Sequence, residues 1–201
     1  MKRGYYFITD PNLTMQNIIR DVKDAVAAGA VMVQYRNKQA DEETLLREIR
    51  KIQTVCLDVP LIINDRVDLV LKLNADGVHL GKDDMPCRQA REVLGTDKII
   101  GVTVRNVSEA LDAERAGASY LGAGPIFVTT TKENLPGPFG VGLIREIKDA
   151  CSIPVTAIGG ITLSNAGEVI DAGADMICAL SAVLTADSVK EEVAKFNALF
   201  N

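Results

Sequence analysis

Short apolar runs alternate along this chain with longer stretches whose apolar positions recur every three or four residues. The short runs predict strands at Tyr5–Thr9, Val31–Tyr35, Leu61–Asn64, Gly77–Leu80, Ile99–Thr103, Tyr120–Gly122, Val155–Ile158 and Met176–Ala179. They are rich in β-branched and aliphatic residues, and nearly all end in Gly, Asp, Asn, Thr or Ser. The stretches between them follow the helical period. In the first, Ile18, Ile19, Val22, Val26 and Ala27 make one apolar stripe. The second, starting near Asp41, places Leu45, Ile49, Ile52 and Leu57 on one side and charges on the other.

Three helical stretches end in the same way, as Ala28-Gly29-Ala30, Ala116-Gly117-Ala118 and Ala172-Gly173-Ala174, with a strand following at once. Glycine just past a helix is the expected left-handed cap. Such helix-to-strand turns sit at the end of a barrel that serves stability, so they speak for architecture and not for chemistry.

Eight strands alternating with helices admit a closed barrel or an open doubly wound sheet. An open sheet would usually carry a glycine-rich turn after its first strand. Here that turn reads Thr9-Asp10-Pro11-Asn12-Leu13, and the glycines gather instead after the sixth and seventh strands. The expected fold is therefore α/β, a single (β/α)8 TIM barrel over residues 1–201, with its active site at the C-terminal ends of the strands. No linker or second domain is visible.

Composition narrows the partners. The 201 residues are 47% hydrophobic and 24% charged, as in ordinary soluble proteins. No apolar run approaches a membrane span, and Met1–Tyr5 opens straight into a strand pattern, so the cytoplasm is the expected location. A formal charge of −5 argues against nucleic acid as a partner but leaves room for a locally positive pocket. Cys56, Cys87, Cys151 and Cys178 show no CxxC spacing, and there is one histidine, so zinc is not expected. Nothing in the chain specifies an oligomeric state.

The candidate chemistry lies at strand ends. After the second strand come Gln34, Arg36 and Lys38. Glutamine can read a heteroaromatic ring by donor and acceptor, while Arg and Lys suit phosphate; a merely solvated strand end would also carry such residues. Asn64-Asp65 ends the third strand, and Asp83-Asp84 follow the fourth. Two carboxylates from adjacent loops beside cations are a usual way of holding Mg²⁺ on a diphosphate. At least one of Asp83 and Asp84 is also expected to begin the next helix.

The longest connection, Pro125 to Gly140, holds Thr129-Thr130-Thr131-Lys132 and Pro136-Gly137-Pro138. It is expected to be a phosphate-binding lid. Gly159-Gly160 and Leu180-Ser181 end the last two strands, where such barrels commonly form a phosphate cup. His79 could face the barrel interior or be a packed structural histidine.

Together, Gln34-Tyr35-Arg36-Asn37-Lys38, Ile63-Asn64-Asp65, Ala75-Asp76-Gly77-Val78-His79-Leu80-Gly81 with Asp84, Gly122-Ala123-Gly124-Pro125-Ile126-Phe127 with Thr129-Thr130-Thr131-Lys132, and Ala157-Ile158-Gly159-Gly160-Ile161 resemble the thiamin phosphate synthase family. The likeness runs in order through nearly the whole chain. It implies a transferase that joins 4-amino-2-methyl-5-hydroxymethylpyrimidine diphosphate to a thiazole phosphate, giving thiamin phosphate and diphosphate in thiamin biosynthesis. By that resemblance Gln34, Arg36, Lys38, Asn64, Thr103 and Lys132 bind the pyrimidine diphosphate, with Arg36, Lys38, Thr103 and Lys132 serving the chemistry. Thr129, Thr131, Gly160, Leu180 and Ser181 line the thiazole phosphate site, and Asp65 and Asp84 hold Mg²⁺. The implied reaction is dissociative and needs no protein nucleophile, which agrees with the lack of any triad or reactive cysteine motif.

Asn37, Thr103, Val128 and Arg105 depart from the family pattern; Asn37 would lose an ion pair that orients Arg36 or Lys38, and Val128 would loosen the lid. The alternatives are a thiazole tautomerase-like isomerase of the same fold, or a non-catalytic barrel that binds phosphorylated ligands. The tautomerase is expected to need a histidine near Arg105, which this chain lacks.

Overall fold

A computed structural model of the chain describes residues 1–129, 131 and 137–201. The strands are β1 (Gly4–Ile8), β2 (Met32–Tyr35), β3 (Leu61–Asn64), β4 (Gly77–Leu80), β5 (Ile99–Val104), β6 (Tyr120–Ala123), β7 (Val155–Ile158) and β8 (Met176–Cys178). The helices among the described residues are α1 (Ile18–Ala27), α2 (Glu42–Gln53), α3 (Val67–Leu73), α4 (Cys87–Leu94), α5 (Val107–Arg115), α6 (Gly142–Ala150), α7 (Ala166–Asp171), α8 (Leu180–Leu184) and α9 (Val189–Ala198). Each strand pairs in parallel with the next, and β8 pairs with β1, so the sheet closes on itself. This is the (β/α)8 barrel that the alternating pattern predicts.

Period-two alternation sorts every strand between two cores. Phe7, Val33, Ile63 and Val78 point outward and pack beneath the helices. Tyr6, Ile8, Met32, Ile62, Tyr120 and Met176 point inward and fill the barrel. Both faces are covered, which is why the strands read as apolar runs with little polar alternation.

Local signals set the helix ends. Asn17, Asp41, Asn106 and Ser188 each accept a backbone N–H from three residues on, satisfying donors that a helix start leaves open. The three Ala-Gly-Ala turns behave as expected, with φ of +88° at Gly29, +91° at Gly117 and +103° at Gly173. Asn197 on α9 ties the last helix to β1 and to the turn before β2. Its Oδ1 accepts from Tyr5 N at 2.8 Å and its Nδ2 donates to Ala28 O at 2.9 Å.

Two expectations are corrected here. Leu57 does not belong to the apolar stripe of α2; the helix stops at Gln53, and Leu57 lies beyond it with 81% of its surface exposed. Neither Asp83 nor Asp84 begins α4, because Pro86 is its N-cap residue, where the fixed ring suits a helix start. That leaves both aspartates on the loop at the barrel mouth. Among the described residues no helix is long and apolar enough to cross a membrane.

Candidate active site

Strand register gathers the polar residues at one end of the barrel. Asn64 stands beside His79 in the β3–β4 pair, and Thr103 beside Gly122 in the β5–β6 pair. Gln34, Asn64, His79 and Thr103 line a single cavity with the Tyr6 ring beneath them. Gln34 is buried, with 2% of its surface exposed. The room they need comes from missing side chains on the neighbouring strands. A Cβ at Gly101 would lie 2.5 Å from Tyr120 Cε1, and one at Gly122 would lie 2.9 Å from His79 Cε1. Only glycine at those points lets the tyrosine and the imidazole lie across the barrel.

A continuous hydrogen-bonded series links these groups. Gln34 Nε2 donates to Tyr6 Oη at 2.8 Å, and Tyr6 Oη lies 2.7 Å from Tyr120 Oη. Tyr120 Oη lies 2.8 Å from His79 Nδ1, and His79 Nε2 lies 2.9 Å from Thr103 Oγ1. Burial raises the pKa of both phenols well above the usual range, so each stays protonated. Thr156 on β7 also lines the cavity, and its Oγ1 is buried with no hydrogen-bond partner.

The cations at the mouth are held by carboxylates. Arg36 Nη1 lies 2.6 Å from Oδ2 of Asp10, a buried residue at the end of β1, and Lys38 Nζ lies 2.9 Å from Asp65 Oδ2. Asn37 therefore deprives neither cation of its orientation. Its Oδ1 accepts from Gln39 N and Ala40 N, shaping the turn that carries Lys38. Arg105 adds a third guanidinium or ammonium group to this end, lining the same cavity as Arg36.

Asp65 and Asp84 meet although 19 positions separate them in the chain. Their carboxyl groups share a hydrogen bond, and Gly81 N donates to Asp84 Oδ2 at 2.6 Å. Burial and the neighbouring Asp65 carboxylate raise the Asp84 pKa. Burial also pushes Asp65 upward, but its hydrogen bond with Asp84 and the Lys38 ammonium outweigh that and hold its pKa below the ordinary value. Asp65 has φ of 64°, a left-handed conformation that costs a non-glycine residue about 1 kcal/mol or more. Two carboxyl groups held side by side next to a lysine form a donor set that suits a small dication, with water completing its shell. The residues present thus fit Mg²⁺.

On the opposite wall the segment after β6 runs on beside β7. Ile126 N donates to Ile158 O at 3.0 Å, and Phe127 N donates to Gly159 O at 3.0 Å. Gly159 and Gly160 take φ of +101° and +64°, and a Cβ on Gly160 would lie 2.8 Å from Phe127 Cβ. This fold brings Thr129, Thr131, Gly160, Leu180 and Ser181 to the cavity that Gln34 and Thr103 line. Thr131 N donates to Thr129 Oγ1 at 3.3 Å.

A family model described as thiamine monophosphate synthase matches residues 5–183. The chain belongs to that family. It is 45% identical over 193 residues to a thiamine-phosphate synthase of Methanosarcina barkeri, covering 96% of this chain and 88% of that one. A thiamine-phosphate synthase of Chloroflexus aurantiacus is 46% identical over 197 residues, covering 96% and 91%. The solved structure of a thiamine phosphate pyrophosphorylase from Pyrococcus furiosus superposes with a TM-score of 0.89 at 36% identity, covering 98% of this chain and 94% of that one.

Within this thiamine monophosphate synthase fold, the residues singled out from sequence fall into two adjoining groups. Gln34, Arg36, Asn64 and Thr103 share the main cavity with Thr129, Thr131, Gly160, Leu180 and Ser181. Lys38 and Asp65 line a neighbouring depression, joined to it through Asn64, and Asp84 reaches that depression through its contact with Asp65. Thr130, Lys132 and Pro136 lie outside the described residues, and with them the centre of the expected lid. Val128 is 78% exposed.

Sequence reasoning did not single out Asp10, Tyr6, Tyr120 or Thr156. Asp10 could have been found, since it follows a strand closely, as Asp65 does. Tyr6 shares inward parity with Ile8 on β1, yet nothing local says which ring it meets.

Proposed function

We propose that this chain carries out the family's reaction, joining a 4-aminopyrimidine methyl diphosphate to a thiazole phosphate to give thiamin phosphate and diphosphate. The observation that supports it best is one cavity that offers a ring reader, Gln34, at its floor and a Gly160–Leu180–Ser181 cup on the far wall. Such a cavity suits two phosphorylated partners held at once, which is what a condensation requires.

In this reading Gln34 and Asn64 orient the pyrimidine, while Arg36 and Lys38 take the diphosphate. The methylene carbon–oxygen bond breaks, the electron pair leaves with the diphosphate, and the aminopyrimidine spreads the positive charge on the methylene carbon. The thiazole nitrogen then gives its lone pair to that carbon. The Thr103 hydroxyl faces the reacting region, and Thr129, Thr131 and the Gly160, Leu180 and Ser181 backbone hold the thiazole phosphate in place. Asp65 and Asp84 would hold Mg²⁺, which when bound supplies positive charge to the departing diphosphate. No protein base enters, because the nucleophile is already a free lone pair.

The test is product formation from the two phosphorylated substrates, with Mg²⁺ and then with excess chelator. Thiamin phosphate that forms only with metal supports both the reaction and the Asp65–Asp84 site. A folded protein that yields no product in either condition overturns the proposal.

A further inference from the structure

The series from Gln34 to Thr103 has too few protons for its links to be set independently. We infer that Tyr6 and Tyr120 are positioning residues that order this series as a one-way wire, fixing which hydrogen-bonding atoms Gln34 and Thr103 turn toward the substrate. The inference rests on the proposed reaction only for the identity of the ring being read.

A phenol has one proton to give and lone pairs to receive. Tyr6 receives from Gln34 Nε2 at 2.8 Å, so its own proton goes to Tyr120 Oη at 2.7 Å. Tyr120 then gives its proton to His79 Nδ1 at 2.8 Å, and that nitrogen must carry a lone pair. The neutral imidazole therefore holds its hydrogen on Nε2 and donates it to Thr103 Oγ1 at 2.9 Å. The Thr103 proton is left to point into the cavity, and so is the Gln34 Oε1 acceptor.

Reversing one link alone breaks the account. If Tyr120 donated to Tyr6, the Tyr6 proton would be stranded at a site with 1% of its surface exposed. An orphaned hydroxyl proton there costs about 1–3 kcal/mol. Only reversal of every link, with the Gln34 amide turned over and the His79 hydrogen moved to Nδ1, keeps all the bonds. The two ends of the cavity are thus tied, although Gln34 and Thr103 lie on different strands. In the order seen here Gln34 offers an acceptor, which suits the exocyclic N–H of a 4-aminopyrimidine and meets the carbonyl of a 4-oxo ring lone pair to lone pair. Discrimination between amino and oxo rings is therefore set through two tyrosines whose hydroxyls are spent within the series and offer the ring no proton.

His79 is the only histidine in the chain, so a long-range ¹H–¹⁵N spectrum of the uniformly labelled protein reads one imidazole without assignment. The expected pattern, in the pH range where the ring is neutral, is hydrogen on Nε2 with a bare Nδ1. Hydrogen on Nδ1, or an even mixture, overturns the inference. This reading holds whether or not the protein turns over, so failure of the synthase proposal and failure of the wire are separately visible. In Tyr120→Phe the spectrum should move toward the Nδ1–H form; an unchanged spectrum counts against the wire. In Tyr6→Phe, Gln34 is free to turn, and the kcat/KM preference for the 4-amino over the 4-oxo pyrimidine diphosphate should fall about tenfold or more. An unaltered preference would likewise overturn it.

Discussion

Gly101→Ala adds one methyl group to the barrel interior, and the structure makes its effect depend on a single neighbour. Gly101 is not among the residues with positive φ, so its backbone accepts alanine. The new Cβ would lie 2.5 Å from Tyr120 Cε1, against the ~3.5–4.0 Å of ordinary carbon contact. Tyr120 cannot swing aside, because it is fully buried and its Oη is bound to both Tyr6 and His79. Overpacking of this kind costs about 1–3 kcal/mol, and losing the two hydroxyl bonds adds about 1 kcal/mol each. The expected total, ~3–5 kcal/mol, is a large share of the 5–15 kcal/mol typical of a domain. In a Tyr120→Ala background the ring is gone, and alanine should then exceed glycine in a strand by about 0.5–1 kcal/mol. The same methyl should destabilise one protein and stabilise the other, a coupling of at least ~3 kcal/mol. Urea unfolding of the four proteins, followed by circular dichroism, measures it. A cost below ~0.5 kcal/mol in the parent, or an equal cost in both backgrounds, would refute the packing argument.

Three further outcomes are expected. Thr156→Val removes the buried, unpartnered hydroxyl and should stabilise the ligand-free protein by about 1–2 kcal/mol, raising its thermal midpoint by roughly 2–8 °C; no rise would show that the hydroxyl is satisfied by water. Asp65→Asn keeps a side chain that tolerates positive φ and should leave the thermal midpoint within about 3 °C, while lowering Mg²⁺-dependent turnover by ~10²-fold; normal turnover would remove Asp65 from the metal site. Asp21 on α1 has 2% of its surface exposed, and burial raises its pKa in the folded state above the ordinary 3.8. The folded protein then binds this proton more tightly than the unfolded chain, so stability falls as pH rises from the ordinary value through the raised one. Asp21→Ala should accordingly gain stability over the parent across that window and keep the gain at pH 7. Parallel stability–pH curves for the two proteins would contradict the assignment.

The strands that the sequence predicts most firmly are those bounded by polar stops. β3, β4 and β7 fall on their expected residues, and the others shift by a residue or less at an end. Parity along a strand also identifies Gln34 and Arg36 as neighbours on one wall. Leu57 misled because helical period continues to match after the helix itself has ended. Asp83 and Asp84 looked like helix starts because acidic residues favour that position, whereas the chain uses Pro86 three and two residues later. The Tyr6–Tyr120 contact joins positions 114 apart, and no local pattern reports such a pair. Partner choice across a barrel is settled by closure, shear and the gaps at Gly101 and Gly122, all of which exist only once the ring is complete.

The end of the cavity proposed to read the ring is made of core residues, and the end proposed to hold phosphate is made of loops and the first turn of α8. Gln34, Tyr6 and Tyr120 each have 2% or less of their surface exposed, while Ser181 and Val128 stand open to solvent. A change that alters which ring is accepted must therefore also repack the interior and risks the folded state itself. A change in the length or charge of the tail that is held can be made at the rim with little structural penalty. Divergence of this scaffold toward new substrates should accordingly run through the phosphorylated partner first, with the aromatic ring it recognises as the most conservative part of its chemistry.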